Sequence, residues 1–162
     1  MQLMTARMFC LSLVALACAS SALAQLTSPY GLSIGLESAR KAVALAVAEA
    51  LKNNWTMAVA IVDTAGNLVY FEKMDGTQTG SANVSIEKAR SAVLFKRPTK
   101  AFQDTLAAGG DGLRVLGLEG AVPVEGGVPL IIDGRIAGAI GVSGGTSAED
   151  GVCAQAAVNA LK

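Results

Sequence analysis

The sequence predicts a single α+β domain in which an antiparallel sheet is flanked by helices. Two pairs of short apolar runs are each joined by turn-forming residues, which is typical of β-hairpins. Longer segments with apolar residues at helical spacing lie before, between and after these pairs. Hairpins join antiparallel strands, whereas parallel strands need crossover connections, so a doubly wound parallel sheet is disfavoured.

The first predicted elements are a helix and a hairpin. Leu36 to Lys52 carries Ala and Val at helical spacing, and Asn53-Asn54 follows as a stop signal. The apolar runs Met57 to Val62 and Leu68 to Phe71 flank a loop rich in turn residues, 63–67. Because one face of the helix is almost entirely Ala and Val, we expect it to lie close against the sheet.

Two more helices and an irregular stretch follow. Ser85 to Phe95 is predicted to be helical, after a polar surface loop at Thr77 to Ser81, with Lys88 pointing outward. Thr99 to Ala107 predicts a shorter helix. Residues 112–129 contain many glycines and little periodicity, and such a stretch inside a small domain is usually functional or mobile.

A second hairpin and a helix complete the domain. Val128 to Ile132 and Ile136 to Val142 flank Asp133-Gly134, a pair that favours the left-handed backbone of a tight hairpin turn. Small residues in the second run leave room for a backbone, a helix or a ligand to approach closely. Ser147 to Leu161 predicts the closing helix, which opens on a capping box over residues 146–149.

The N-terminal residues have the features of a cleavable secretory signal. Arg7 supplies positive charge, Met8 to Ala19 is an apolar core, and Ala22-Leu23-Ala24 is a small-x-small cleavage site. An uncleaved membrane anchor is one alternative, but the apolar run is short for a bilayer. A lipoprotein cut before Cys18 is another, although Ala15 stands where a larger aliphatic residue is expected. We expect a signal at Met1 to Ala24, one domain over residues 25–162, and a periplasmic or secreted protein with no membrane span after cleavage.

Composition excludes several classes of function. The chain has no histidine, which excludes Ser-His-Asp and Cys-His catalysis as well as histidine ligation of zinc or haem. Cleavage of the signal removes Cys10 and Cys18 and leaves Cys153 as a buried, inert thiol. The formal net charge is +0 and no basic run is longer than Lys96-Arg97, so no nucleic-acid partner is expected. No metal site is predicted.

Two motifs have both a functional and a structural interpretation, and the structural one is favoured for each. The glycines of Gly138-x-x-Gly141-x-x-Gly144-Gly145 precede a helix, where they either hold an anion such as a propionate or permit close packing. Ser85 to Lys88 matches the S-x-x-K motif of serine-lysine hydrolases, but the companion motifs are absent.

Charged residues define two further candidate features. Arg90, Lys96, Arg97 and Lys100 surround the break between two predicted helices and form either a solvated face or contacts to an acidic small molecule. Glu125 is an isolated acid in a glycine-rich, apolar setting. If it is buried, it is a candidate proton carrier.

In their order, several of these motifs resemble the GlcG/HbpS-like family, also called the haem-degrading domain family. The resemblance covers essentially the whole chain after the signal. The matching motifs are Asp63-Thr64-Ala65-Gly66-Asn67-Leu68-Val69, Met74-Asp75-Gly76, Lys88-Ala89-Arg90-Ser91-Ala92 with Phe95 and Pro98-Thr99, Gly126-Gly127-Val128-Pro129-Leu130, Asp133-Gly134, and Gly138 to Gly145 followed by Glu149-Asp150.

This resemblance implies a profilin-like α+β fold, a homo-oligomer and, as in several relatives, binding of haem or another tetrapyrrole. Other relatives are encoded in catabolic operons. Some members use a histidine in haem binding, so a haem site here needs another ligand or looser contacts. The side chains chemically able to serve are Met57, Met74, Tyr70, Cys153 and Thr99.

The first functional hypothesis is an exported protein that binds haem and holds, senses or slowly degrades it. Phe71, Phe95 and Leu130 are expected to face the macrocycle, and Arg90, Arg97 or the amides near Gly144 to meet its propionates. The alternatives are a cofactor-free enzyme acting on a small hydroxy acid, quinone or related catabolite, and an accessory subunit without a ligand. The predicted ligand-binding residues are Phe71, Arg90, Phe95, Arg97, Thr99, Gly126, Gly127, Leu130, Gly144 and Gly145, with Glu125 as the catalytic residue of the enzyme alternative.

Overall fold

The computed structural model describes residues 28–161, so the predicted signal at Met1 to Ala24 lies outside the described residues. Its sheet has four antiparallel strands in the order β2-β1-β4-β3, flanked by helices, which confirms the predicted α+β class. The strands are β1 (Ala58–Val62), β2 (Leu68–Lys73), β3 (Gly127–Ile132) and β4 (Arg135–Ser143).

Helices cover both faces of the sheet. The larger core lies between α1, α4 and the side chains of one sheet face, such as Ile61 and Ile140. A smaller core lies between α2 and the opposite face, where Ala139 meets Ala89. The helices are α1 (Leu36–Lys52), α2 (Ser81–Leu94), α3 (Thr99–Ala107) and α4 (Ser147–Asn159), with a 3₁₀ segment at Gly110–Gly117.

The α2 helix begins four residues earlier than its apolar pattern predicts. The stretch Thr77 to Ser81 is not a polar surface loop throughout, because Thr77 and Ser81 are both buried. The Ser81 hydroxyl lies 3.2 Å from the Ser143 hydroxyl at the end of β4. Small hydroxylated residues pack here without apolar periodicity, which is why the helix start was missed.

Close approach of α2 to β4 depends on Gly141. A Cβ atom at Gly141 would overlap the Ser85 carbonyl oxygen and lie 2.6 Å from the Ala89 nitrogen. The α2 backbone therefore packs directly on the small residues of β4. At Gly141, the glycine motif permits close packing, as its structural interpretation predicts.

Among residues 28–161, no helix combines the length and the apolar character needed to cross a membrane. The same residues contain no cluster of three or more Asp, Glu, Cys or His side chains suited to a metal ion.

Cys153 has no exposed surface, as predicted, and burial raises the pKa of its thiol to about 12. Since the thiolate is the reactive form, we expect Cys153 in the native protein to resist iodoacetamide at neutral pH. Peptide mass spectrometry after timed alkylation checks this, with the urea-unfolded protein as the control. Equal modification of Cys153 in the native and unfolded protein would contradict the expectation.

Candidate functional site

A cavity of about 320 Å³ opens beside the turn that leads into β3. It lies between the start of α3, this turn and α4, and we call it the Glu125 pocket. Its size is at the small end of the range of ligand sites in proteins. Its lining includes Pro98, Lys100, Glu125, Gly126, Gly127 and Gln155.

Glu125 is held in place from both its backbone and its side chain. Its amide donates a hydrogen bond to Gln103 Oε1 at 2.9 Å. Its carboxylate packs where a side chain at Gly151 would stand, and Oε2 lies 3.9 Å from Lys100 Nζ. The side chain is 22% exposed, so the carboxylate can meet both a ligand and water.

Lys100 is the cation at the mouth of the pocket. Its ammonium group donates to Asp104 Oδ1 at 2.8 Å, and this bond, with the attraction of Asp104 and Glu125, raises the lysine pKa. Two carboxylates thus share one cation, and Glu125 is the more distant partner. This leaves Glu125 as an acceptor for a hydroxyl or amine group of a ligand.

The floor of the pocket is the Gly126-Gly127 backbone, and it is tightly packed. The Gly127 amide donates to Thr99 Oγ1 at 2.9 Å, and the Gly126 carbonyl accepts from the Val142 amide at 2.9 Å. A Cβ atom at Gly127 would overlap the Lys88 carbonyl oxygen. Three of the predicted ligand-binding residues, Thr99, Gly126 and Gly127, therefore do lie together with Glu125, although the Thr99 side chain is fully buried.

A buried ion pair lies directly behind this floor. Lys88 Nζ donates to Asp150 Oδ2 at 2.7 Å and to the Val142 carbonyl at 3.1 Å, and both side chains are at most 3% exposed. Burial raises the pKa of Asp150, against the opposing effect of Lys88 and the neighbouring amides. The prediction that Lys88 points outward is wrong, because Asp150 supplies a partner and Gly126 leaves room for the ammonium group.

The predicted anion cradle at Gly144 and Gly145 is occupied by a carboxylate of the protein itself. The Gly145 amide donates to Asp150 Oδ1 at 3.1 Å, and the Gly144 amide also stabilises this carboxylate. The predicted capping box is present, with Thr146 and Glu149 bonded reciprocally. These amides are therefore not free to receive a propionate.

The S-x-x-K motif does not form a catalytic pair. The Ser85 hydroxyl donates to the Ala82 carbonyl at 2.9 Å, and Lys88 is committed to Asp150. This agrees with the structural interpretation of the motif.

The aromatic and apolar residues predicted to face one macrocycle lie apart. Leu130 is 1% exposed and belongs to the core under α1 and α4. Phe71 pairs with Ala60 on the α2 side of the sheet. Phe95 stacks edge-to-face on Phe102, with ring centroids 5.3 Å apart. The expectation that Phe71, Phe95 and Leu130 share one ligand surface is therefore wrong.

The two arginines of the basic cluster are also separated. Arg90 pairs with Glu87 at 2.6 Å and donates to the Gly66 carbonyl, whereas the Arg97 guanidinium lies 5.3 Å from the Phe102 ring centroid. Only Lys100 of the cluster lines the Glu125 pocket. The cationic side chains of the cluster thus make separate contacts and do not form a single anion-binding site.

Sequence reasoning missed a second cavity, of about 510 Å³, between the end of α1 and the residues after β2. We call it the Trp55 groove. Its signal in the sequence was the only tryptophan of the chain, placed directly after a helix stop. The groove is lined by Val47, Leu51, Asn54, Trp55, Thr56, Met74 and Asp75.

Residues 28–161 form a small α+β domain with a helix-covered antiparallel sheet, and the Glu125 pocket and the Trp55 groove are two of its open cavities. Residues 34–159 match the family model described as "Haem degrading protein HbpS-like". The chain belongs to this HbpS-like family.

Similar proteins include GlcG of Escherichia coli strain K12, which is 40% identical over 95 residues, 59% of this chain and 69% of GlcG. A double-mutant form of HbpS from Streptomyces reticuli has a TM-score of 0.74 at 29% identity, covering 82% of this chain and 89% of HbpS. PduOC, solved as a complex with heme, has a TM-score of 0.72 at 26% identity, covering 81% of this chain and 96% of PduOC.

Proposed function

We propose that this protein binds haem or a closely related tetrapyrrole. The observation that carries the proposal is the similarity to PduOC, which was solved as a complex with heme, at 26% identity over 81% of this chain. The family description, which names haem degradation, supports the same ligand class.

The residues of the chain limit how haem can be held. There is no histidine, so haem is held either through another iron ligand or through looser contacts with the macrocycle. A drug-sized or larger ligand suits the Trp55 groove, of about 510 Å³, better than the smaller Glu125 pocket. Haem supplies iron redox and oxygen chemistry when bound, and the protein supplies an apolar surface and an axial ligand.

Export and assembly form part of this proposal. The signal predicted at Met1 to Ala24 supports a periplasmic or secreted protein. The 3₁₀ segment at Gly110–Gly117 has no buried residue and exposes Leu113 and Leu116, which supports contact with a second copy in a homo-oligomer. In that setting the protein holds, senses or slowly degrades its tetrapyrrole.

Titration with haemin tests the proposal. We expect the Soret band of haemin to shift and sharpen up to one equivalent per chain, because the iron leaves water for a protein ligand. Visible absorption measures the shift, with the urea-unfolded chain as the control. No shift at stoichiometric protein would contradict haem binding.

A second candidate function, a cofactor-free enzyme acting on a small hydroxy acid or quinone, is favoured by the Glu125 pocket. The pocket combines the size of a small metabolite with a half-buried carboxylate and a cation 3.9 Å away. Glu125 would carry the proton, and Lys100 would orient a polar group of the substrate.

For this second candidate, Glu125→Gln is expected to lower kcat by about 100-fold or more, because the amide cannot carry a proton. A screen of 2-hydroxy acids and quinols, with product detection by mass spectrometry, supplies the assay. Glu119→Gln is the matched control, since Glu119 is exposed. Equal turnover by both variants would contradict a role for Glu125 as the proton carrier.

A further inference from the structure

We propose that Met74 is the axial ligand of haem iron and that the macrocycle lies in the Trp55 groove. This inference rests on the proposed haem-binding function and assigns its site. It is carried by the accessibility of the ligand-capable side chains and by the position of the Met74 sulfur.

Burial removes three of the candidate ligands from contact with an external iron. Met57, Thr99 and Cys153 have no exposed surface. Each sits inside the packed domain, and a haem could reach none of them without opening the fold.

Each tyrosine ring of the chain lies against a cationic side chain. The Tyr30 hydroxyl donates to the Val93 carbonyl at 2.8 Å, and Lys96 Nζ lies 4.3 Å from its ring centroid. The Tyr70 ring packs under Arg40, and its hydroxyl lies 3.5 Å from Glu72 Oε2. Of the five candidate ligands, only Met74 lines one of the cavities described above.

The backbone fixes the position of the Met74 sulfur. The Met74 amide donates to the Met57 carbonyl at 3.0 Å, and the Met57 amide donates to Met74 Sδ at 3.3 Å. A thioether sulfur carries two lone pairs, and the one that does not accept from the Met57 amide is the one that an iron would use. Thioethers are established axial ligands of haem iron.

The walls of the groove suit an apolar ring. Leu51 is 62% exposed, and Trp55 is half-buried at the edge of the main core. Covering them with a macrocycle removes apolar surface from water. Asp75 is the acidic residue of the lining and repels propionates, so the propionates extend away from it toward solvent.

The test compares haemin binding by the full chain with binding by Met74→Leu and Met57→Leu. Both variants exchange a thioether for a hydrocarbon of similar volume, and such exchanges are usually tolerated. Met57 is the matched control because its sulfur is buried. The readouts are the Soret position and the Kd for haemin, with circular dichroism to verify folding.

We expect the wild-type protein and Met57→Leu to share the Soret position and the Kd. Met74→Leu should shift the Soret position and bind haemin about tenfold more weakly or worse. Wild-type spectra and affinity for a folded Met74→Leu variant would overturn the inference while leaving haem binding intact. Absence of haemin binding by the wild-type protein would instead overturn the proposed function.

A second readout locates the macrocycle without relying on the iron. The chain has one tryptophan, so Trp55 gives the only indole N–H signal in a nitrogen-15 spectrum. Zinc protoporphyrin in the groove should shift this signal strongly through the ring current of the macrocycle. Saturable binding that leaves the Trp55 indole signal in place would rule out the groove.

Discussion

Replacing Asp150 by Asn is expected to reduce the free energy of unfolding by about 3 to 5 kcal/mol, the cost of leaving a buried charge without its partner. Lys88 is 1% exposed, and its other bond is to the Val142 carbonyl at 3.1 Å. The same substitution weakens the carboxylate contacts that hold Gly144 and Gly145. The turn between β4 and α4 therefore loses its anchor as well.

Urea unfolding followed by circular dichroism measures this loss. Asp104→Asn is the control, because Asp104 pairs with Lys100 at the surface, where such pairs contribute up to about 1 kcal/mol. If Asp150→Asn does not fold, the double variant Lys88→Met with Asp150→Leu removes both charges and should recover a folded chain. A cost below about 1 kcal/mol for Asp150→Asn would show that the pair is not the anchor described here.

Replacing Gly141 by Ala is expected to destabilise the domain by about 3 kcal/mol or more, at the upper end of overpacking effects. The added Cβ would overlap the Ser85 carbonyl oxygen and contact the Ala89 side chain at 3.0 Å. Both groups belong to α2, so the helix must move away from β4. The smaller core between them would open.

Gly117→Ala is the matched control, since a Cβ atom at Gly117 meets nothing within 4 Å. We expect this control to change the free energy of unfolding by less than about 0.5 kcal/mol. Chemical denaturation of both variants under the same conditions gives the comparison. Equal stability would contradict the assignment of Gly141 to close helix packing.

Much of the fold could be predicted because strand and helix patterns are local. The bounds of α1 match the predicted helix, and both hairpins form where turn residues separate apolar runs. The capping box of α4 also follows from a four-residue pattern. These features depend on neighbours in sequence and needed no knowledge of tertiary contacts.

The site was harder to predict because its partners are distant in sequence. Lys88 looks like a solvent-facing residue on its own helix, and only Asp150, 62 positions later, explains its burial. The Gly144-Gly145 part of the glycine motif resembles an anion site because its amides do bind a carboxylate. That carboxylate belongs to Asp150 of the same chain. Glu125, Gly126 and Gly127 could be placed together because they are consecutive.

The residues assigned to a macrocycle illustrate the same limit. Phe71 and Leu130 are both apolar strand residues, and only the sheet register shows that they face opposite sides. The Trp55 groove forms between the end of α1 and the residues after β2, two segments about twenty positions apart. Hydrophobic periodicity predicts the helices and strands themselves, but it does not predict a groove between two segments that are separated in sequence.

Native mass spectrometry of the protein purified from its own host tests the central claim, that the chain carries a tetrapyrrole, most directly. We predict a complex of several copies, each lacking residues 1–24 and each carrying one haem or related macrocycle that is released on unfolding. Copies that carry no ligand, or that retain a small acid or quinone in place of a macrocycle, would contradict the claim.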